Sequence, residues 1–83
     1  MERKRIALMK CTDLAIGQLA VVTRLDEVEP LLRRRLNSMG FHEGTKMYVH
    51  NKSIWGGPLT ISYQKQVISL RKADAARIGV ALA

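Results

Sequence analysis

Eighty-three residues are enough for one domain and too few for two independent cores. Apolar content of 47% with 25% charged residues excludes a disordered tail, and no apolar run approaches the ~20 residues needed to cross a bilayer. The formal net charge of +7 favours acidic partners (nucleic acid, an anionic leaflet or an acidic protein) without choosing among them, and one cysteine, Cys11, excludes an internal disulfide framework.

Residues 1–10 read as a basic arm, with Arg3, Lys4, Arg5 and Lys10 against Glu2. Its apolar stretch is too short for a secretory signal and lacks a cleavage site, so a cytoplasmic location is expected. The folded domain is expected over 11–83. Thr12 to Gly17 suggests one helical turn, capped by Thr12 and closed by Gly17. Leu19 to Leu25 is rich in β-branched and apolar residues and reads as the first strand.

Acidic residues Asp26, Glu27 and Glu29 precede Pro30, which suits the first turn of a helix. The helix is expected from Glu29 or Pro30 to about Met39, stopped by Gly40. At ~100° per residue, Val28, Leu32, Leu36 and Met39 share one face, with Leu31 at its edge. Arg33 and Arg34 fall towards solvent. Arg35 falls inside the apolar arc, where its stem must snorkel or its guanidinium must meet a carboxylate.

Gly44 marks the turn into a second strand from Thr45 to about Lys52. A glycine-rich loop, Ser53 to Pro58, carries the only tryptophan, Trp55. Leu59, Ile61 and Tyr63 then alternate with polar residues as a half-buried strand. Gln64 to Gln66 makes a tight connection to Val67–Leu70, its hairpin partner. Arg71 to Arg77 suits one or two helical turns, and Ile78 to Leu82 a last strand. About five short strands with one inserted helix predict a mainly β fold, a small closed barrel without exposed strand edges.

Candidate functional residues each have a plainer alternative. Arg33, Arg34 and Arg35 form either a docking patch or a solvated face with one arginine pinning the helix. Trp55, with Gly56, Gly57 and Pro58, is either a contact surface or a lid over the barrel. No Gly-Lys-Ser/Thr run follows the glycines, so phosphate cradling is poorly supported. Cys11, His42, Glu43 and His50 are weak candidates for metal ligands, lacking the paired spacing of a structural zinc site. A homo-oligomer would double two ligands into four. No nucleophile–base pair is suggested, so no enzymatic activity is expected.

The run Arg33-x-Arg35-Leu36-x-x-Met39-Gly40-Phe41-x-x-Gly44, followed by Gly57-Pro58-Leu59 and then by Ile68-Ser69-Leu70-Arg71-Lys72 with Ala76-x-Ile78, resembles the FeoA family. The resemblance spans about Leu14 to Val80 and leaves the arm out. It implies an SH3-like barrel in a cytosolic accessory of bacterial ferrous iron uptake. The implied partner is the cytosolic, GTPase-containing part of a FeoB-type membrane transporter. The resemblance gives no firm cofactor and leaves transient contact with Fe(II) or another divalent transition metal open. The domain is similar, too, to the C-terminal module of some metal-dependent repressors, and the absence of a preceding DNA-binding domain favours the stand-alone accessory. A metal-responsive regulatory domain and a small nucleic-acid-binding barrel are the alternatives. Only Phe41, Tyr48, Trp55 and Tyr63 are aromatic, so specific nucleic-acid binding is not expected.

Overall fold

A computed structural model of the protein describes residues 9–83. Five strands, β1 (Ala20–Arg24), β2 (Lys46–Lys52), β3 (Leu59–Tyr63), β4 (Gln66–Leu70) and β5 (Gly79–Leu82), pair antiparallel in the order β4-β3-β2-β1-β5. Helix α1 (Pro30–Ser38) is inserted between β1 and β2, and the short α2 (Lys72–Ala75) leads into β5. The expected SH3-like barrel architecture is present. No ladder joins β4 to β5, so hydrogen bonding does not close the barrel, and the expected absence of strand edges is corrected. Among the described residues β4 forms a ladder with β3 and with no other strand.

Alternation along the strands builds the core. Met47 and Val49 of β2 and Leu59, Ile61 and Tyr63 of β3 point inwards, joined by Ala20, Val22 and Val80. Phe41 meets Tyr63 edge to face, with centroids 5.1 Å apart, a geometry favoured by the ring quadrupoles.

Most of the arm expected over 1–10 lies outside the described residues. Met9 and Lys10, placed by sequence at its end, already pair with β5: the Met9 carbonyl accepts from Val80 N at 3.0 Å, and Lys10 bridges Gly79. The helical turn expected from Thr12 is instead a 3-10 turn over Cys11–Asp13. Thr12 is not its cap. The Asp13 carboxylate folds back to accept the Lys10 backbone N–H at 2.8 Å, which starts the turn one residue earlier.

Helix α1 begins and ends where its sequence dictates. Glu29 caps it, its Oε1 accepting the Leu32 N–H at 3.0 Å, and Pro30 supplies the first turn. At the far end Phe41 N–H bonds back to the Leu36 carbonyl at 2.9 Å, and Gly40 N–H to that of Asn37 at 3.0 Å. This pair of bonds requires left-handed backbone between them, and Gly40 provides it with φ of +85°. Phe41 and Leu36 are both fully buried, so the helix stop is also a core contact.

Candidate functional site

A groove of about 390 Å³ opens between α1 and the sheet edge. Leu31, Leu32, Arg35 and Met39 form its helical wall, and Ile68 to Arg71 form the other, with Glu29 and Asp74 at its ends. Leu31 is 61% exposed and Met39 41%, so the apolar stripe of the helix is only partly used by the core. Leu36 alone among the helix residues is fully buried, and Leu32 is half-buried. The opposite wall belongs to β4, an edge strand whose Val67 is also exposed. An apolar floor beside a strand edge that has no partner among the described residues, with Arg35 and Arg71 lining the same groove, suits an extended chain segment.

Arg33 and Arg35 line different hollows. Arg35 lines this groove and Arg34 is exposed beside it, whereas Arg33 lines a separate hollow with Leu25, Asn37, His42 and Glu43. The wheel expectation for Arg33 and Arg35 is therefore corrected. Arg33 is the half-buried one and Arg35 is exposed, because the open seam leaves nothing packed over Arg35. Among the described residues Arg35 forms no ion pair. Arg33 lies close enough to Asp26 to favour its charged form. The stronger hold on Asp26 is Arg24, whose Nε and Nη2 donate to the carboxylate at 3.0 and 2.7 Å and push its pKa below the usual range.

The loop after β2 is a single 3-10 turn, Ile54–Gly56, closed by Ser53 N–H donating to the Pro58 carbonyl at 3.2 Å. Trp55 sits at its tip and is 96% exposed, so it is no lid on the barrel. Gly57 is half-buried, and a Cβ there would come within 2.8 Å of the Ser53 Cβ, so its small size serves the fold of the loop. Gly56 and Gly57 share a small hollow with Lys52 and Lys72 that has no lining residue in common with the α1–β4 groove. The two sequence-derived docking regions are thus separate surfaces. Sequence reading missed the groove itself; the signal available was the pairing of an over-wide apolar helix face with Ile68 and Leu70.

Three of the four weak metal candidates, Cys11, His42 and Glu43, are buried or hydrogen-bonded within the fold. Cys11 is fully buried, and desolvation pushes its thiol up to about 11. His42 Nδ1 bonds to the Glu43 carbonyl at 3.0 Å, while its backbone N–H donates to Thr45 Oγ1 at 3.1 Å. Glu43 Oε2 accepts the Leu25 N–H at 3.4 Å, tying the turn before β2 to the end of β1. His50 lies exposed on β2, at a register shift against β3. Among the described residues no three of His, Cys, Asp and Glu come together as a metal-sized group.

A coiled five-stranded sheet with a helix between its first two strands defines the class of small SH3-like barrel domains. The FeoA domain family model matches residues 9–82, and the chain belongs to that family. No curated protein sequence matches it. Among solved structures, the FeoA protein from Chlorobium tepidum superposes with a TM-score of 0.84 at 31% identity, over 89% of this chain and 70% of that one. The iron(II) transport protein A from Clostridium thermocellum gives 0.80 at 32% identity, over 90% of this chain and 46% of its own, so this chain spans under half of that protein. A manganese-dependent transcriptional repressor shares the fold alone, with a TM-score of 0.75 at 16% identity, over 90% of this chain and 41% of that one. Among the described residues no helix is long and apolar enough to cross a membrane.

Proposed function

We propose that the chain is a non-enzymatic accessory of ferrous iron uptake that docks on the cytosolic, GTPase-containing part of a FeoB-type transporter. The observation that carries this reading is the α1–β4 groove, with exposed Leu31 and Met39 opposite a strand whose outer edge has no partner among the described residues, and beside Arg35. An extended transporter segment laid along β4 would place alternate apolar side chains on Leu31, Met39 and Ile68, and an acidic one near Arg35. Fe(II) is cargo of the transporter in this scheme.

Calorimetric titration of the chain against the transporter's cytosolic part, at physiological salt with guanine nucleotide present, tests it. Saturable binding that Leu31→Asp and Arg35→Glu each weaken is expected. Absence of binding, or binding indifferent to both substitutions, would remove the proposal.

A further inference from the structure

The tip of the β2–β3 loop has no role in the groove and is unusual in three respects. Adjacent apolar side chains, Ile54 at 77% and Trp55 at 96%, stand free of the core. Trp55 holds a φ of +73°, a left-handed conformation that is costly for a bulky side chain and presents the ring outwards. Beneath the tip, Lys52 and Lys72 line one hollow together with Thr12. Among the described residues neither lysine forms an ion pair, and Asp13, beside Thr12, is held by the Lys10 N–H.

We propose that the Ile54–Trp55 tip, collared by Lys52 and Lys72, inserts into the headgroup region of an anionic lipid bilayer and holds the domain against the membrane surface. An indole ring is most at home at the boundary between headgroups and acyl chains, where its apolar body is buried and its N–H stays wet. Ile54 adds apolar area on the same tip, and lysines beside it gain from the negative potential of the leaflet. The shape selects lipid over a folded protein. Ile54 and Trp55 stand exposed beside a hollow whose lining holds one large apolar residue, Leu59, so they do not form a rimmed protein hot spot, whereas a fluid interface accepts a projecting tip without a matching pocket. Nucleic acid would use the ring for stacking but has no use for Ile54.

Trp55 is the only tryptophan, so its emission reports the tip directly. The full chain is mixed with vesicles of phosphatidylglycerol and phosphatidylcholine, or of phosphatidylcholine alone, without any transporter present. With the anionic vesicles a blue shift, protection from acrylamide and co-sedimentation are expected, all diminishing with added salt. Neutral vesicles should give little of each. Trp55→Ala should weaken co-sedimentation at least about tenfold, and Lys52→Gln or Lys72→Gln about fivefold each. Circular dichroism should show all three variants folded. An emission spectrum unmoved by anionic vesicles overturns the proposal. So does co-sedimentation that Trp55→Ala leaves intact, which would assign membrane attraction to the basic N-terminal sequence. A blue shift produced by raising protein concentration, by an oligonucleotide or by the transporter's soluble part, but not by lipid, also overturns it.

Discussion

The carbonyl oxygen of Met39 ties the end of helix α1 to the β3–β4 hairpin. Tyr63 donates its hydroxyl there at 2.8 Å, and Gln66 Nε2 approaches the same atom at 3.5 Å. Tyr63 is otherwise buried, with its ring against Phe41, so Tyr63→Phe keeps the packing and removes only the hydroxyl. A loss of about 1–1.5 kcal/mol in urea unfolding is expected, because the carbonyl is left partly buried with its weaker partner alone. Cys11 gives a second prediction at this scale, on pH. Burial lifts its folded pKa to about 11, above the ordinary value of 9.0, while Lys52 opposes the shift. A raised folded value means that the folded chain keeps a proton the unfolded chain gives up. Its stabilising contribution is therefore complete below pH 9.0 and is lost as pH rises towards about 11. The urea midpoint should fall across that window and fall less steeply in Cys11→Ala. Equal slopes would mean that the thiol is not the group responsible.

At the scale of elements, the hairpin between β3 and β4 turns on two residues, Gln64 and Lys65, both at positive φ of 48° and 64°. Turns of this form match the strand twist but favour asparagine and glycine, because other side chains crowd the left-handed backbone. Lys65→Gly should therefore raise stability by about 0.5–1 kcal/mol, visible as a higher melting temperature; a decrease would show that the Lys65 side chain is needed there. The hairpin was legible in the sequence because Leu59, Ile61 and Tyr63 alternate before the turn, and the helix stop was legible because Gly40 precedes Phe41. Other features were beyond sequence reading for physical reasons. The shifts in register between Val22 and Arg24 and between Val49 and Asn51 belong to the pairing of two strands, and no single residue announces them. The reversed burial of Arg33 and Arg35 has the same origin. A helical wheel gives angles around an axis, while burial depends on what other elements place against each angle. Here the seam beside β4 stays open, and the groove exists because of it. The family motif pointed to the right segments, Arg35 to Met39 and Ile68 to Arg71, without showing that they face one another.

For the whole molecule, the question is whether a net charge of +7 or the local geometry of the groove governs association with an acidic partner. Overall charge raises the encounter rate and is screened by salt, whereas a group that becomes enclosed in the complex changes the rate of dissociation. Arg34 and Arg35 are neighbours, both exposed, and reversing either changes net charge equally, but only Arg35 lines the groove. On the proposed docking, Arg34→Glu and Arg35→Glu should slow association with the transporter's cytosolic part to a similar extent at low salt. Arg35→Glu alone should also speed dissociation, by about tenfold, and that effect should persist when salt has abolished the first. Surface plasmon resonance at two ionic strengths separates the two rates. If both variants dissociate like the parent chain, the interaction is a diffuse charge effect and the groove is not its seat. If Arg34→Glu dissociates as fast as Arg35→Glu, the contact runs over the outer face of α1, and β4 with its free edge has no part in it.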